Sequence, residues 1–280
     1  MESSGLARKD RAGPAVPAFR IPRPAWTRRL LLRRRWVLLA VIIVAWQLVA
    51  GSYPVYVLPS PLRVVEAFWR GIVEKEVLFH AGISALRAIG SWIVGSAVGI
   101  TAGFAMAYSP IVAGQLGYVL RVIQPIPGIA WIGVVLIWFG IGDASLVAVT
   151  LLTVIPIAAT ATYEGFRSID REYIKAAQTL GVRDNWALFR YVSLPAALPS
   201  VLTGLNLALA FGWRTLAGAE IVASASGLGY WMDLNRVALR TADVFVVLVF
   251  YGSMMVLFEM LVYKPLERSI IGGWNRGSAQ

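Results

Sequence analysis

Charged residues are missing from long stretches of the chain, and those stretches define its elements. Residues 36–62 carry no Asp, Glu, Lys or Arg over 27 positions, 88–120 none over 33, 122–142 none over 21, 144–163 none over 20 and 191–213 none over 23. Residues 244–263 add 20 positions interrupted only by Glu259. About 20 apolar residues in a helix cross the hydrocarbon core of a bilayer. The 33-residue run exceeds one span, and Ser109-Pro110 with Gly114 marks a turn inside it. The pattern therefore predicts six helices, over 36–55, 83–108, 116–140, 144–165, 197–222 and 243–263. The fold class is all-α, a polytopic membrane helix bundle of about six spans.

Composition agrees with this reading and narrows the chemistry. Apolar residues make up 58% of the 280 and charged residues 15%, with a mean hydropathy of +0.68. A soluble domain carries about 25% charged residues, so a soluble globular or disordered chain is excluded. There is no cysteine, which removes disulfides, thiolate metal sites and cysteine nucleophiles. His80 is the single histidine, so no multi-histidine metal cage exists. No paired carboxylates, Ser/His arrangement or metal-ligand spacing supports catalysis, and no cofactor is expected.

The net charge of +11 is unevenly placed. Ten of the 26 Lys and Arg lie within 8–35, before the first apolar run. A basic segment beside a span is a topology signal and a contact for anionic lipid, whereas nucleic-acid binding calls for basic patches interleaved with exposed aromatics. With the N-terminus inside, inner segments hold 19 Lys and Arg and outer segments five. The positive-inside rule then puts both termini in the cytoplasm. Thr27-Arg28-Arg29 followed by Leu30-Leu31-Leu32 resembles a twin-arginine export signal. Five further spans follow and no small-residue cleavage site precedes Tyr53, so the first helix is read as uncleaved. The domains expected are a basic cytoplasmic tail over 1–35, with residues 1–28 disordered, a six-span transmembrane body over 36–264, and a cytoplasmic tail over 265–280.

Three sets of residues stand out within the spans. Ser91, Gly95, Gly99, Gly103 and Ala107 recur at every fourth position of the second helix. Small residues at this spacing let helix backbones approach closely in lipid; a static packing seam and a seam lining a moving interface or pore both fit. Gln124-Pro125-Ile126-Pro127-Gly128 should kink or break the third helix, because each proline removes a backbone donor. Broken helices at membrane depth are tolerated where they line a cavity or are buried in protein, so Pro125 and Pro127 mark either a simple kink or part of a pathway. Charged residues inside spans, which cost about 2.5–3.5 kcal/mol at mid-bilayer, are Arg87, Arg214, Glu220 and Glu259, with Asp143 and Glu164 near the interfaces. Arg214, beside Trp213, either meets a solute anion or pairs with a carboxylate such as Glu164 or Glu259. It cannot face Glu220, which lies six residues on and about 240° around the helix.

The segment after the fourth helix is the most specific. Asp170 is placed to cap a short helix over 171–180 that Gly181 ends, and Asp184 to cap a second over 185–191. Leu194-Pro195-Ala196-Ala197-Leu198-Pro199 should then break it and open the fifth span. The result is a polar, amphipathic helix-turn-helix on the cytoplasmic side, suited to lying on the bilayer or to docking a soluble partner.

Lys175-Ala176-Ala177, three residues, Gly181 and then Leu194-Pro195 resembles the coupling loop of ATP-binding-cassette importer permeases. That motif reads Glu-Ala-Ala, three residues, Gly, and Leu-Pro after about eleven more. Here Lys175 stands where the Glu would be, and twelve residues separate Gly181 from Leu194. Residues 124–131, Ile137-Trp138-Phe139-Gly140-Ile141-Gly142, Gly212-Trp213-Arg214, Ala219-Glu220-Ile221, Gly227-Leu228-Gly229-Tyr230 and Leu58-Pro59-Ser60-Pro61 are similar to the nitrate/sulfonate/taurine branch. The resemblance covers roughly residues 36–265. It implies a second permease chain, separate ATPase subunits on a coupling loop over 166–195, a periplasmic or other extracytoplasmic solute-binding protein, and residence in a bacterial inner membrane. It also implies that Trp213, Arg214 and Glu220 lie on the path of a small anion. The chain has no Gly-rich loop ending in Gly-Lys-Ser/Thr, so a partner must hydrolyse the ATP. An ATPase-independent channel or secondary transporter is the alternative, and a membrane enzyme the weakest third.

Overall fold

The computed structural model describes residues 25–272, except Lys75 and Arg183, and their side chains from Trp36 onward apart from those of 266 and 270–272. Among the described residues every regular element is helical. The chain divides into two compact units, 1–49 and 50–280. The first is described by one helix, α1 (Ala25–Ala50), whose apolar part is Trp36–Ala50. It begins before the expected Trp36, because Leu-rich and Arg-rich sequence favours helix, and it ends before the expected residue 55, where Gly51, Ser52 and Pro54 follow. Of the predicted tail, residues 1–24 lie outside the described residues.

The second unit opens with α2 (Pro61–Val73), capped by Ser60 and started by Pro61, in the segment expected to be an outer loop between the first two spans. Then come α3 (Glu76–Tyr108), α4 (Pro110–Ile123), a 3-10 turn over Gly128–Trp131, α5 (Ile132–Phe139) and α6 (Asp143–Arg167). The exposed segment holds α7 (Arg171–Thr179) and α8 (Asn185–Leu188). A π-turn over Phe189–Ser193 leads into α9 (Leu194–Ala223). The chain ends with α10 (Leu228–Val237), α11 (Thr241–Phe258), a second π-turn over Glu259–Tyr263 and α12 (Lys264–Gly272). Part of the expected C-terminal tail is thus helical, and 273–280 lie outside the described residues.

Four described helices are long and apolar enough to cross a membrane: Glu76–Tyr108, Asp143–Arg167, Asn185–Ala223 and Thr241–Ser269. The third helix, expected over 116–140 with a kink or break at 124–128, is a pair, Pro110–Ile123 and Gly128–Phe139, bent by 91°. Pro125 and Pro127 supply the reason, since neither donates to the helix ladder. Counted as one span, the pair makes five, and the apolar part of α1 is shorter than the other spans.

The core sits where α3, α6 and α9 pack together. Leu146, Val149, Val154 and Ala158 of α6 are fully buried, between Ala88 and Trp92 of α3 on one side and Ala208, Leu216 and Ala219 of α9 on the other. The seam on α3 makes the approach possible. A Cβ at Gly99 would stand 2.6 Å from Ala158 Cβ and 2.8 Å from the Ile155 carbonyl oxygen. At Gly103 it would meet the Ala159 carbonyl oxygen and stand 2.6 Å from Thr162 Cβ. Ser91 and Gly95 are buried on the same face, but Ala107 is exposed and Met106 is buried in its place. Near its end the face turns towards α4, where Met106 packs with Leu120 and Ala159.

Candidate functional site

A cavity of about 700 Å³ opens at the helix break. One wall is the break itself, with Gln124, Pro125 and Pro127, and the others are one face of α6 and one face of α9. Gln124 fixes the break in place, because its side-chain amide donates to the Pro156 carbonyl (3.1 Å) and to Thr160 Oγ1 (2.6 Å) on α6. Thr153 of α6 and Thr215 of α9 bring their hydroxyls to 3.2 Å and close the wall between the helices. The cavity lining is largely apolar and holds two charged side chains, Arg214 and Glu164.

Arg214 does not form the expected ion pair with Glu164 or Glu259. Its guanidinium lies 5.6 Å from the centroid of the Phe211 ring, one turn back on α9. Glu259 instead pairs with Lys264 at 3.3 Å, in the π-turn at the end of α11. Among the described residues no carboxylate comes within ion-pairing range of Arg214, which leaves its fork of donors at the cavity.

Trp213 and Glu220 are placed away from this cavity. Trp213 points to α11, where its indole N–H donates to the Tyr251 carbonyl (3.2 Å). Glu220 is fully buried at the far end of α9, in a polar cluster. One carboxylate oxygen accepts from Arg87 Nη1 (2.8 Å). The other accepts from the Ser84 hydroxyl (2.7 Å), the Gly229 amide (3.1 Å) and the Tyr251 hydroxyl (3.2 Å). Arg87 also reaches the Asp143 carboxylate, the Ser226 carbonyl (2.7 Å) and the Ser224 hydroxyl (3.2 Å). Buried charges persist when they are paired and hydrogen-bonded, and here the pairing ties α3, α6, α9 and the start of α10 together. Gly227, at φ +104°, lets the backbone turn against the Glu220 carboxylate, which a Cβ would strike. His80 completes the outer side of the turn, its Nδ1 accepting from the Gly227 amide at 3.0 Å.

The segment carrying Lys175, Ala176 and Ala177 projects from the body, and most of α7 is exposed. The Asp170 carboxylate caps it by accepting from the Glu172 amide (2.9 Å). Its far end is a Schellman turn: Gly181 N–H donates to the Gln178 carbonyl and Val182 N–H to the Ala177 carbonyl, both at 3.1 Å. The turn needs the left-handed conformation of Gly181, φ +94°. Tyr173, Leu180 and Trp186 present apolar surface around the turn. Leu194 and Pro195 do not break the chain into separate helices as expected. The π-turn shifts the hydrogen bonding so that Leu194 N–H donates to the Phe189 carbonyl, and Pro195, falling at the start of α9, costs little. Phe189 lies against Phe104 of α3, Phe166 of α6 and Trp186, with ring centroids 5.1, 6.1 and 5.6 Å away.

Sequence reasoning missed the polar wall of Gln124, Thr153, Thr160 and Thr215. A glutamine in an otherwise apolar span was the one available signal, because threonines are common on buried helix faces. It also missed that Arg87 and Glu220, far apart in the chain, are partners.

Residues 95–270 match the family described as "Binding-protein-dependent transport system inner membrane component". The chain is 34% identical over 203 residues to the taurine transport system permease protein TauC of Escherichia coli (strain K12), covering 70% of this chain and 73% of that one. It is 35% identical over 243 residues to the putative aliphatic sulfonates transport permease protein SsuC of the same organism, covering 86% and 91%. A chain of the MetNI methionine ABC transporter, solved in inward-facing conformations, has a similar fold: TM-score 0.57, 17% identity, 71% of this chain and 97% of that one.

Proposed function

The chain belongs to the binding-protein-dependent transport system inner membrane components, permease subunits of ATP-binding-cassette importers, and from that membership we propose how its sites divide the work. The cavity at the helix break is part of the path of a small oxyanion, with sulfonates such as taurine the favoured class. Arg214 carries this reading. A guanidinium is a permanent cation whose donor fork matches sulfonate oxygens, and here it stands at a largely apolar cavity with no carboxylate partner among the described residues. The sulfonate and taurine relatives support the same class.

The exposed segment of α7, the Schellman turn and α8 is the docking element for a separate ATPase subunit. Small Ala176 and Ala177 permit close approach, and Tyr173, Leu180 and Trp186 offer apolar contact. Closure of the ATPase pair pushes this element, and α9 carries the movement to the cavity wall. A second copy of the permease completes the pathway, and a soluble binding protein delivers solute to the outer face. Both termini lie in the cytoplasm, a reading that the 19-to-5 distribution of Lys and Arg supports.

The test is uptake of labelled taurine and alkanesulfonates by the complete importer in proteoliposomes. Arg214→Lys keeps the charge but loses the fork, and Arg214→Gln loses both. Both variants should assemble with the ATPase at normal yield while uptake falls, further for Gln. Undiminished uptake in Arg214→Gln would remove Arg214 from the path.

A further inference from the structure

We infer that α2 is an interfacial helix, lying at the membrane boundary with one apolar strip against lipid acyl chains. The helix has three sides. Val64, Ala67 and Gly71 are buried against the protein, and Gly71 faces Val77 and Trp231. Arg63, Glu66, Arg70 and Glu74 form a polar strip. Leu62, Val65, Trp69 and Val73, spaced by three and four residues and hence on one face, are 66%, 53%, 61% and 75% exposed. Water is a poor neighbour for that third side, and among the described residues no side chain covers it.

The depth of α2 identifies what does. Asp243 is the last charged residue before the uncharged stretch of α11, and Arg70 of α2 pairs with it at 2.9 Å. Phe250 lies seven residues further along α11, about 10 Å into the span. The Phe68 ring stacks on it with centroids 5.5 Å apart. The helix therefore touches both the charged end of a span and a level two turns inside it. Leu248 and Val249, at that inner level on α11, are themselves half-exposed apolar residues of a membrane span. A face turned outward at this depth meets lipid, and Trp69 belongs to the residue type enriched at that boundary. The polar strip carries as many carboxylates as guanidiniums, so the contact is with chains rather than with headgroup charge.

The chain has no cysteine, so single-cysteine variants for spin labelling need no altered background. Labels at positions 62, 65, 69 and 73 report the apolar strip, and labels at 63, 66 and 74 the polar strip, in the full-length chain assembled with its ATPase in nanodiscs. Collision with oxygen should exceed collision with a nickel chelate several-fold on the apolar strip, and the ratio should reverse on the polar strip. The pattern should be the same in phosphatidylcholine and phosphatidylglycerol. Free access of the chelate to the apolar strip would place it in water. Exclusion of both probes would mean that a second copy or a soluble partner covers it. A pattern present only in phosphatidylglycerol would mean adsorption by charge. Each of these three results overturns the inference.

Discussion

Gly103→Ala tests whether the packing of α3 on α6 is set by backbone contact. The added Cβ would stand 2.6 Å from Thr162 Cβ and closer still to the Ala159 carbonyl oxygen. Carbon atoms in ordinary contact are about 3.5–4.0 Å apart, so the helices must part by about 1 Å. The obstacle is partly backbone, so no rotamer change relieves it. Overpacking of this kind costs about 1–3 kcal/mol, and the helix propensity gained over glycine returns up to about 1 kcal/mol. Gly90, on the same helix, has no neighbour within 4 Å of a built Cβ, so Gly90→Ala keeps only the favourable part. The propensity gain is common to both, so the two alanines should differ by about 1–3 kcal/mol, which at about 2–4 °C per kcal/mol for a chain of this size separates their melting temperatures by about 2–12 °C. Intrinsic-fluorescence melts of the purified protein in one detergent, read from its 11 tryptophans, give the comparison directly. If Gly103→Ala melts with Gly90→Ala or above it, close approach of the backbones does not hold this bundle together.

Three further outcomes are expected. Glu220→Ala removes the acceptor shared by Arg87, Ser84, Gly229 and Tyr251 and should cost about 3–5 kcal/mol in a melt; Arg87→Met with Glu220→Leu should recover part of the loss, and a wild-type melt for Glu220→Ala would refute the reading of the cluster. Gly181→Val, which puts a β-branched residue at φ +94°, and Ala177→Trp should both insert normally but lose ATPase co-purification or solute-stimulated hydrolysis; normal stimulation would show that the segment does not couple. Reporter fusions at Gly227 should read as outside and those at Gly181 as inside, and the reverse at either site would end the topology.

What the sequence disclosed divides by physical origin. Spans and caps follow local rules, and so Asp170, Gly181 and Asp184 sit at helix ends as their chemistry requires. The seam residues Gly95, Gly99 and Gly103 were legible because period four in small residues has one main use in lipid. Pairings between distant helices left no local trace. Arg87 and Glu220 are 133 positions apart, and nothing in either neighbourhood marks them as partners. Arg214 was open for the same reason: its surroundings are set by how α6, α9 and the break come together. The amphipathic α2 was hidden because Arg63, Glu66 and Arg70 place it between the uncharged runs, and only those runs signal spans.

The π-turn over Phe189–Ser193 lies within the stretch where the chain carries twelve residues between Gly181 and Leu194, against about eleven in the motif it resembles. One residue added to a regular helix turns everything beyond it by about 100°. That rotation would swing Arg214 off the cavity and Glu220 off Arg87 while α7 and α8 stayed still. A turn bonded from i to i+5 takes up the added residue locally. The angular phase between α8 at one end of the rod and the two charged side chains further along it is therefore maintained, and the length of this segment fixes where those side chains point as firmly as any side chain in it.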